Sequence, residues 1–371
     1  MKLTNLVLLY VSFFLVVIMA ISNSYIINLK GATVDAERFL ELGIGWASTG
    51  YFKLAVDAEF FVQLIGVLIR LGLGEFGITL IGILLYYITI APFMGRLTLS
   101  IKKPSTIAVF FLLAFAPSML FRIAALLREP YMVFFLTFGL LLLSDWLLSR
   151  KLNKLVLGIA CCVISAFFHK ATLALMPLIL VMLMVCSFKI SLRSVIFIIT
   201  SIPLFSYLLF EAFSFLQGLR GSQALEVLLT GDTSLADQIV SRKSTREFRT
   251  TYDYGADWNS LVGILTSIFK ANIYYYGKPF ITDINSLSDV IAFIENFLRL
   301  MVLYTVIAKL YTSRFDNRQY LFLFGCYLLF NIIWALGTSN YGTGSRHHMT
   351  SLPILGLLYY LVFNENKKVS S

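Results

Sequence analysis

The chain is a series of long apolar runs interrupted by short polar connections, with charges gathered between the runs and scarce inside them. A helix needs about 20 apolar residues to cross a bilayer, somewhat fewer where neighbours help. On that measure spans are expected at 6–27, 76–95, 105–121, 131–148, 154–168, 171–188, 194–215, 291–312, 319–336 and 350–363, ten in all. Segment 57–73 differs. Asp57, Glu59, Gln63 and Arg70 interrupt it, while Phe60, Phe61, Leu64, Val67, Leu68 and Leu71 recur at helical spacing. It is expected to be an amphipathic helix lying on the membrane surface, with a second near 34–49. The fold class that follows is all-α, a polytopic transmembrane helical bundle over 1–371.

Orientation depends on how 57–73 is treated. If it lies on the surface, the connections holding Arg96, Lys102 and Lys103, then Arg150, Lys151 and Lys154, then Lys189 and Arg193, then Arg314 and Arg318, and the tail with Lys367 and Lys368, all share the side of Lys2. Short basic loops mark the cytoplasmic face. Both termini are therefore expected in the cytoplasm. The outer face then carries a first loop, 28–75, with the two surface helices, a large loop, 216–290, and three short connections. Within the large loop, Leu261 to Phe269 is apolar enough to lie in the interface.

Composition narrows the classes further. Hydrophobic residues make up 58% and charged residues 13% of the 371, which excludes a soluble globular domain. The net charge of +10 would raise nucleic acid as a partner for a soluble chain; here it reads as loop lysines and arginines facing membrane lipid, with no nucleic acid implied. Cys161, Cys162, Cys186 and Cys326 all sit in apolar runs and read as packing residues. The first apolar run is about twice the length of a signal-peptide core, so it is read as a span.

The polar residues assigned to the outer face form four clusters. Asp35, Glu37 and Arg38 lie in the first loop; Arg122, Arg128 and Glu129 bracket the turn in FRIAALLREPY; His169 and Lys170 occupy a tight hairpin in AFFHKATLAL; Arg346, His347 and His348 lie in LGTSNYGTGSRHHMTSLP. The large loop adds Arg242, Lys243, Arg246 and Arg249. Cations kept beside the bilayer on the face that should be poor in them point to an anion, and arginine's planar fork of donors fits phosphate oxygens. Each residue also has an ordinary reading: Arg122 as a snorkelling anchor, Glu129 as a helix-start acid or partner of Arg128, Asp35 as a helix cap, 242–249 as a solvated face. Three histidines without fixed spacing do not make a zinc site.

The layout Asp35-x-x-Arg38-Phe39, then ELGIGWASTGYF, then an amphipathic helix, resembles the GT-C glycosyltransferases, polytopic enzymes that use lipid-linked sugars. LLREPYMVFFL, FFHKATLALMPLIL and GTSNYGTGSRHHMTSLPIL resemble motifs of the Wzy-type O-antigen polymerases and the related EpsG-like membrane proteins. The resemblance runs over about 30 to 355 and leaves 216–290 unmatched. It implies a GT-C-like fold in a bacterial cytoplasmic (inner) membrane, and transfer of a glycan from polyprenyl diphosphate to a second lipid-linked acceptor at the outer face, without cofactor or metal. A chain-length regulator or flippase is the implied protein partner. In that scheme Arg128, Lys170 and Arg346 hold the diphosphate, assisted by Arg38, Arg122, Arg242 and Arg246. Glu129 positions Arg128, His347 contacts sugar or phosphate, and either Asp35 or His169 acts on the acceptor hydroxyl. Competing classes are another polyprenyl-linked transferase, a membrane acyltransferase, and a transporter of lipid-linked glycan.

Overall fold

A computed structural model describes residues 2–26, 33–53, 55–100, 102–187, 255, 261–312, 318–338 and 341–364. Apart from turns and short extended stretches, these residues are helical: α1 (Leu3–Tyr25), α2 (Thr33–Thr49), α3 (Ala58–Arg70), α4 (Glu75–Met94), α5 (Pro104–Ala114), α6 (Pro117–Ile123), α7 (Glu129–Ser149), α8 (Leu152–Phe168), α9 (Lys170–Ser187), α10 (Leu261–Gly277), α11 (Leu287–Thr312), α12 (Arg318–Gly337) and α13 (Tyr341–Asn364). A single 3₁₀ turn, Ile281–Asp283, precedes α11. Among the described residues six helical stretches are long and apolar enough to cross a membrane: α1, α4, α5 with α6, α7, α11 and α12. The expected spans at 154–168 and 171–188 correspond to shorter apolar helices, Leu152–Phe168 and Leu175–Ser187. The span expected at 350–363 is the second part of α13, and 194–215 lies outside the described residues.

The chain forms two compact units. The first comprises 1–170, 298–316 and 349–371; the second comprises 171–297 and 317–348.

In the first unit buried polar side chains pin apolar helices to one another, as they must where lipid offers no hydrogen bonds. At one end of the bundle Asn5 Nδ2 donates to the carbonyls of Met94 (2.9 Å) and Leu97 (2.8 Å), and Lys2 Nζ donates to Thr98 Oγ1 (2.9 Å). The Tyr359 hydroxyl lies 2.9 Å from Ser105 Oγ and 2.7 Å from Thr106 Oγ1 at the start of α5. At the other end Asn23 Nδ2 donates to the Ala124 carbonyl (3.0 Å), and the Tyr131 hydroxyl donates to that of Ile78 (2.7 Å). The expected span 105–121 is interrupted. Pro117 has no N–H and pushes Ala116 into extended backbone (φ −59°, ψ 125°), so α5 stops and α6 restarts.

Helices α7 and α8 form an antiparallel pair whose backbones approach at Gly139 and Gly158, and a left-handed Arg150 (φ 54°) closes α7 before the turn. The segments expected near 34–49 and 57–73 are helical, as α2 and α3, and fold into a hairpin. Gly43 lies under Ile65 and Gly66 under Trp46, while Arg70 donates to the carbonyls of Ala47 (2.8 Å) and Gly50 (2.7 Å) with its guanidinium over the Trp46 ring. Phe39, Phe61 and Ile65 carry the hairpin into a core shared with Ile78, Leu126, Leu127, Tyr131 and Phe168.

In the second unit α10 packs on α12, and Gly325 of α12 accommodates Met182 of α9. The apolar stretch expected to end near Phe269 continues as a helix to Gly277.

Candidate functional site

The first unit has two chemically different ends. At the Lys2 end stand Arg96, Lys102, Lys103, Arg150, Lys151 and Lys154, with Asp145 bridged to Lys154 at 3.1 Å. The opposite end, covered by the α2–α3 hairpin, mixes Asp35, Glu37, Arg38, Glu41, Lys53, Asp57, Glu59, Arg70, Glu75, Arg122, Arg128 and Glu129. The candidate site is at this mixed end.

Three segments distant in sequence meet there. The start of α3 supplies Asp57, the turn between α6 and α7 supplies Arg128 and Glu129, and the end of α8 supplies Phe167, Phe168 and His169. An aromatic wall fixes their spacing. Phe61 meets Phe39, Tyr131 and Phe168 edge-on, and Tyr131 stacks on Phe168 with ring centres 5.8 Å apart. Pro130 suits the first turn of α7, where no helical N–H is needed. Against this frame Arg128 Nη1 donates to Asp57 Oδ1, and Asp57 N–H donates to the Phe167 carbonyl (2.7 Å). Glu129 is 2% exposed, and His169 is a half-buried residue in extended backbone at the end of α8. Two acids, a guanidinium and an imidazole-bearing turn thus share one end of the bundle.

Asp57 is the partner of Arg128 that the sequence does not announce. There it reads as one of several polar interruptions before an amphipathic helix. Asp35 and Arg38 lie on α2 with exposed side chains, while Ala36 and Phe39 turn inward. Arg122 closes α6 and is half-buried. Lys170 begins α9 directly after His169. Arg242 and Arg246 lie outside the described residues.

Arg346 and His347 belong to the second unit and are helical. They occupy the first turns of α13 rather than the connection suggested by the glycines around them. His347 stacks on Trp334 with ring centres 4.0 Å apart, and its Nδ1 lies 2.8 Å from Thr338 Oγ1. Thr338 Oγ1 also donates to the Trp334 carbonyl at 2.7 Å. A hydroxyl has one proton, so the arrangement that satisfies both contacts has His347 Nδ1–H donating to Thr338. Inferred from the network in this way, the neutral His347 ring keeps its lone pair on Nε2. His348 takes the opposite tautomer. It is buried, and its Nε2–H donates to the Tyr275 carbonyl at 3.0 Å. Among the described residues no three His, Cys, Asp or Glu side chains gather as a metal-holding group.

Fold and composition define an all-helical membrane protein with six candidate spanning helices among the described residues. Comparison with protein-family models, with curated proteins and with solved structures finds no match.

Proposed function

We propose that this protein is a Wzy-type glycosyltransferase that polymerises polyprenyl-diphosphate-linked repeat units at the outer face of a bacterial cytoplasmic membrane. The observation that carries the reading is the meeting of Asp57, Arg128 and Glu129 with the His169 turn at the bundle end opposite the lysine-rich connections. By the positive-inside rule the Lys2 end is cytoplasmic, so this group faces out. The α2–α3 hairpin packed over this end supports the reading, since the GT-C-like resemblance implies helices in the first outer loop.

The reaction needs two services. A sugar hydroxyl oxygen attacks the anomeric carbon, the bond from that carbon to the diphosphate oxygen breaks, and the hydroxyl proton must go to a base. Arg128, with Lys170 and Arg122 from the neighbouring turns, neutralises the departing diphosphate. Asp57 joins Asp35 and His169 as a candidate for the hydroxyl proton, and of the two carboxylates it is the one beside the arginine. The partners are then a lipid-linked donor and a lipid-linked acceptor. The test is gene deletion with complementation, read as the ladder of surface glycan. Loss of long chains with one repeat unit retained supports polymerisation, and loss of every intermediate beyond a given sugar supports a single-sugar transferase instead.

Transport of a lipid-linked glycan is the second reading, because α11, a candidate span, carries buried Glu295 and Arg299 (7% and 4% exposed). Charges inside a span often mark a conduction path. Accumulation of whole repeat units on the cytoplasmic leaflet of the deletion strain would favour it over transfer.

A further inference from the structure

Asp57 departs from two local preferences at once. It is a non-glycine residue at φ 69° and ψ −138°, where side-chain-bearing residues are rare. It stands at the N-cap position of α3, where an aspartate ordinarily accepts from a first-turn N–H, and it makes no such bond. Its carboxylate goes to Arg128 and its own N–H to the Phe167 carbonyl. A residue that gives up cap and backbone comfort together is held by a requirement outside its helix.

Arg128 is only half satisfied by this pairing. Its side chain is 11% exposed, one Nη contacts Asp57, and the buried Nε has no hydrogen-bond partner among the described residues. A guanidinium presents Nε–H and Nη–H as parallel donors for two oxygens of one group. A phosphoryl group offers both oxygens and more charge than a carboxylate.

We propose that Asp57 is an internal ligand of Arg128, displaced when a phosphoryl anion binds, so that their contact gates the anion site. The proposal rests on the reading of this end as a diphosphate site. In the exchange two phosphoryl oxygens take the edge formed by Nε–H and the Nη2–H parallel to it, and their charge drives the neighbouring carboxylate off Nη1; no covalent bond changes. The gate also sets a threshold. Weak monoanions do not outcompete an acid tethered by its own backbone, whereas a diphosphate does.

The full-length chain in phosphatidylcholine nanodiscs provides the test, with inorganic pyrophosphate titrated in one arm and a polyprenyl diphosphate incorporated in the other. Asp57→Asn keeps the size of the side chain and its tolerance of positive φ while removing the charge. It is expected to tighten binding about tenfold, within the usual span of coupled sites, and Arg128→Gln to abolish it. Tightening with pyrophosphate alone assigns the site to free phosphate, and tightening with the lipid alone assigns it to a headgroup. Unchanged or weaker binding of both ligands by Asp57→Asn, or no binding by any variant, overturns the gate. Asp57→Ser is judged by the same criterion if the Asn variant is not monodisperse. Elongation lost in Arg128→Gln while Asp57→Asn binds as wild type sinks the gate and leaves the transferase reading. Tightened binding by Asp57→Asn, beside a wild-type gene that restores no elongation to the deletion strain, does the reverse.

Discussion

The hydroxyl of Tyr86 donates to the carbonyl of Leu113 at 2.8 Å, and Leu113 is the residue whose helical donor would have been the missing N–H of Pro117. The Ser12 hydroxyl takes the next carbonyl, that of Ala114. A proline break inside a candidate span is thus closed by side chains from α4 and α1, as a chain surrounded by lipid requires.

Tyr86→Phe tests this closure. Hydrogen bonds between membrane helices average only about 0.6 kcal/mol, because the unfolded chain also finds partners. Leaving a buried carbonyl without a donor costs more, about 1–3 kcal/mol. Tyr86 is fully buried, so the larger effect is expected to decide, with a loss of about 1 kcal/mol or more by unfolding in detergent. Wild-type stability for this variant would show that Leu113 finds another donor.

A second prediction concerns the scaffold beneath the site. A Cβ on Gly139 would stand 3.0 Å from the Gly158 carbonyl oxygen and 3.0 Å from the Cys162 backbone nitrogen, and one on Gly158 would meet the Gly139 carbonyl at 3.1 Å. Backbone cannot rotate aside as a side chain can. Gly139→Val is expected to destabilise by about 1–3 kcal/mol, and Gly158→Val similarly. Because the two positions touch, the double variant should cost less than the sum of the singles. Since α7 carries Arg128 and Glu129 at its start and α8 carries His169 at its end, binding of a diphosphate probe should fall together with stability. Additive losses, or full stability in either single variant, would refute the close approach.

Much of the scaffold is legible from apolar period alone. The interruptions at Glu59 and Arg70 fall on the outward face of 57–73 and define α3 to within a few residues, whereas Gln63 turns inward and accepts from the Lys53 N–H; 34–49 foretells α2 equally well. The Asp57–Arg128 pair is not legible, because 71 residues separate the partners and an aspartate before Ala58-Glu59-Phe60 looks like an ordinary cap. Arg346 and His347 mislead in another way. Gly342 and Gly344 suggest a loop by propensity, yet the helix runs through them, as packing can override a weak local preference. The break at Pro117 was hidden by the uniform hydrophobicity of 105–121.

The proposed sidedness can be checked with single cysteines at the two ends of the first unit. Thr98 pairs with Lys2 at the basic end, and Ser48 is exposed on the α2–α3 hairpin. In intact cells an impermeant maleimide is expected to label Ser48→Cys and spare Thr98→Cys, with Thr98→Cys labelled only after permeabilisation. The reverse pattern would turn the proposed outer site to the cytoplasm and remove the polymerase reading. Ser345 is a poorer position for the same purpose, since it is 6% exposed and protection there would reflect burial.

The last prediction uses the tautomer of His347. With Nδ1–H committed to Thr338, the neutral ring has its lone pair on Nε2, which suits a sugar hydroxyl as donor better than a phosphate. Thr338→Val keeps the shape of the fully buried side chain and removes the acceptor that fixes the ring. Thr338→Ser restores the acceptor. If His347 contacts the acceptor sugar, Thr338→Val is expected to slow elongation about tenfold, less than the roughly 10²–10⁴-fold of a whole proton-transfer group because the imidazole stays and only its orientation is lost, with the protein level unchanged. Thr338→Ser should stay close to wild type. Equal elongation by the Val and Ser variants would leave Thr338 a packing residue and His347 without a part in transfer.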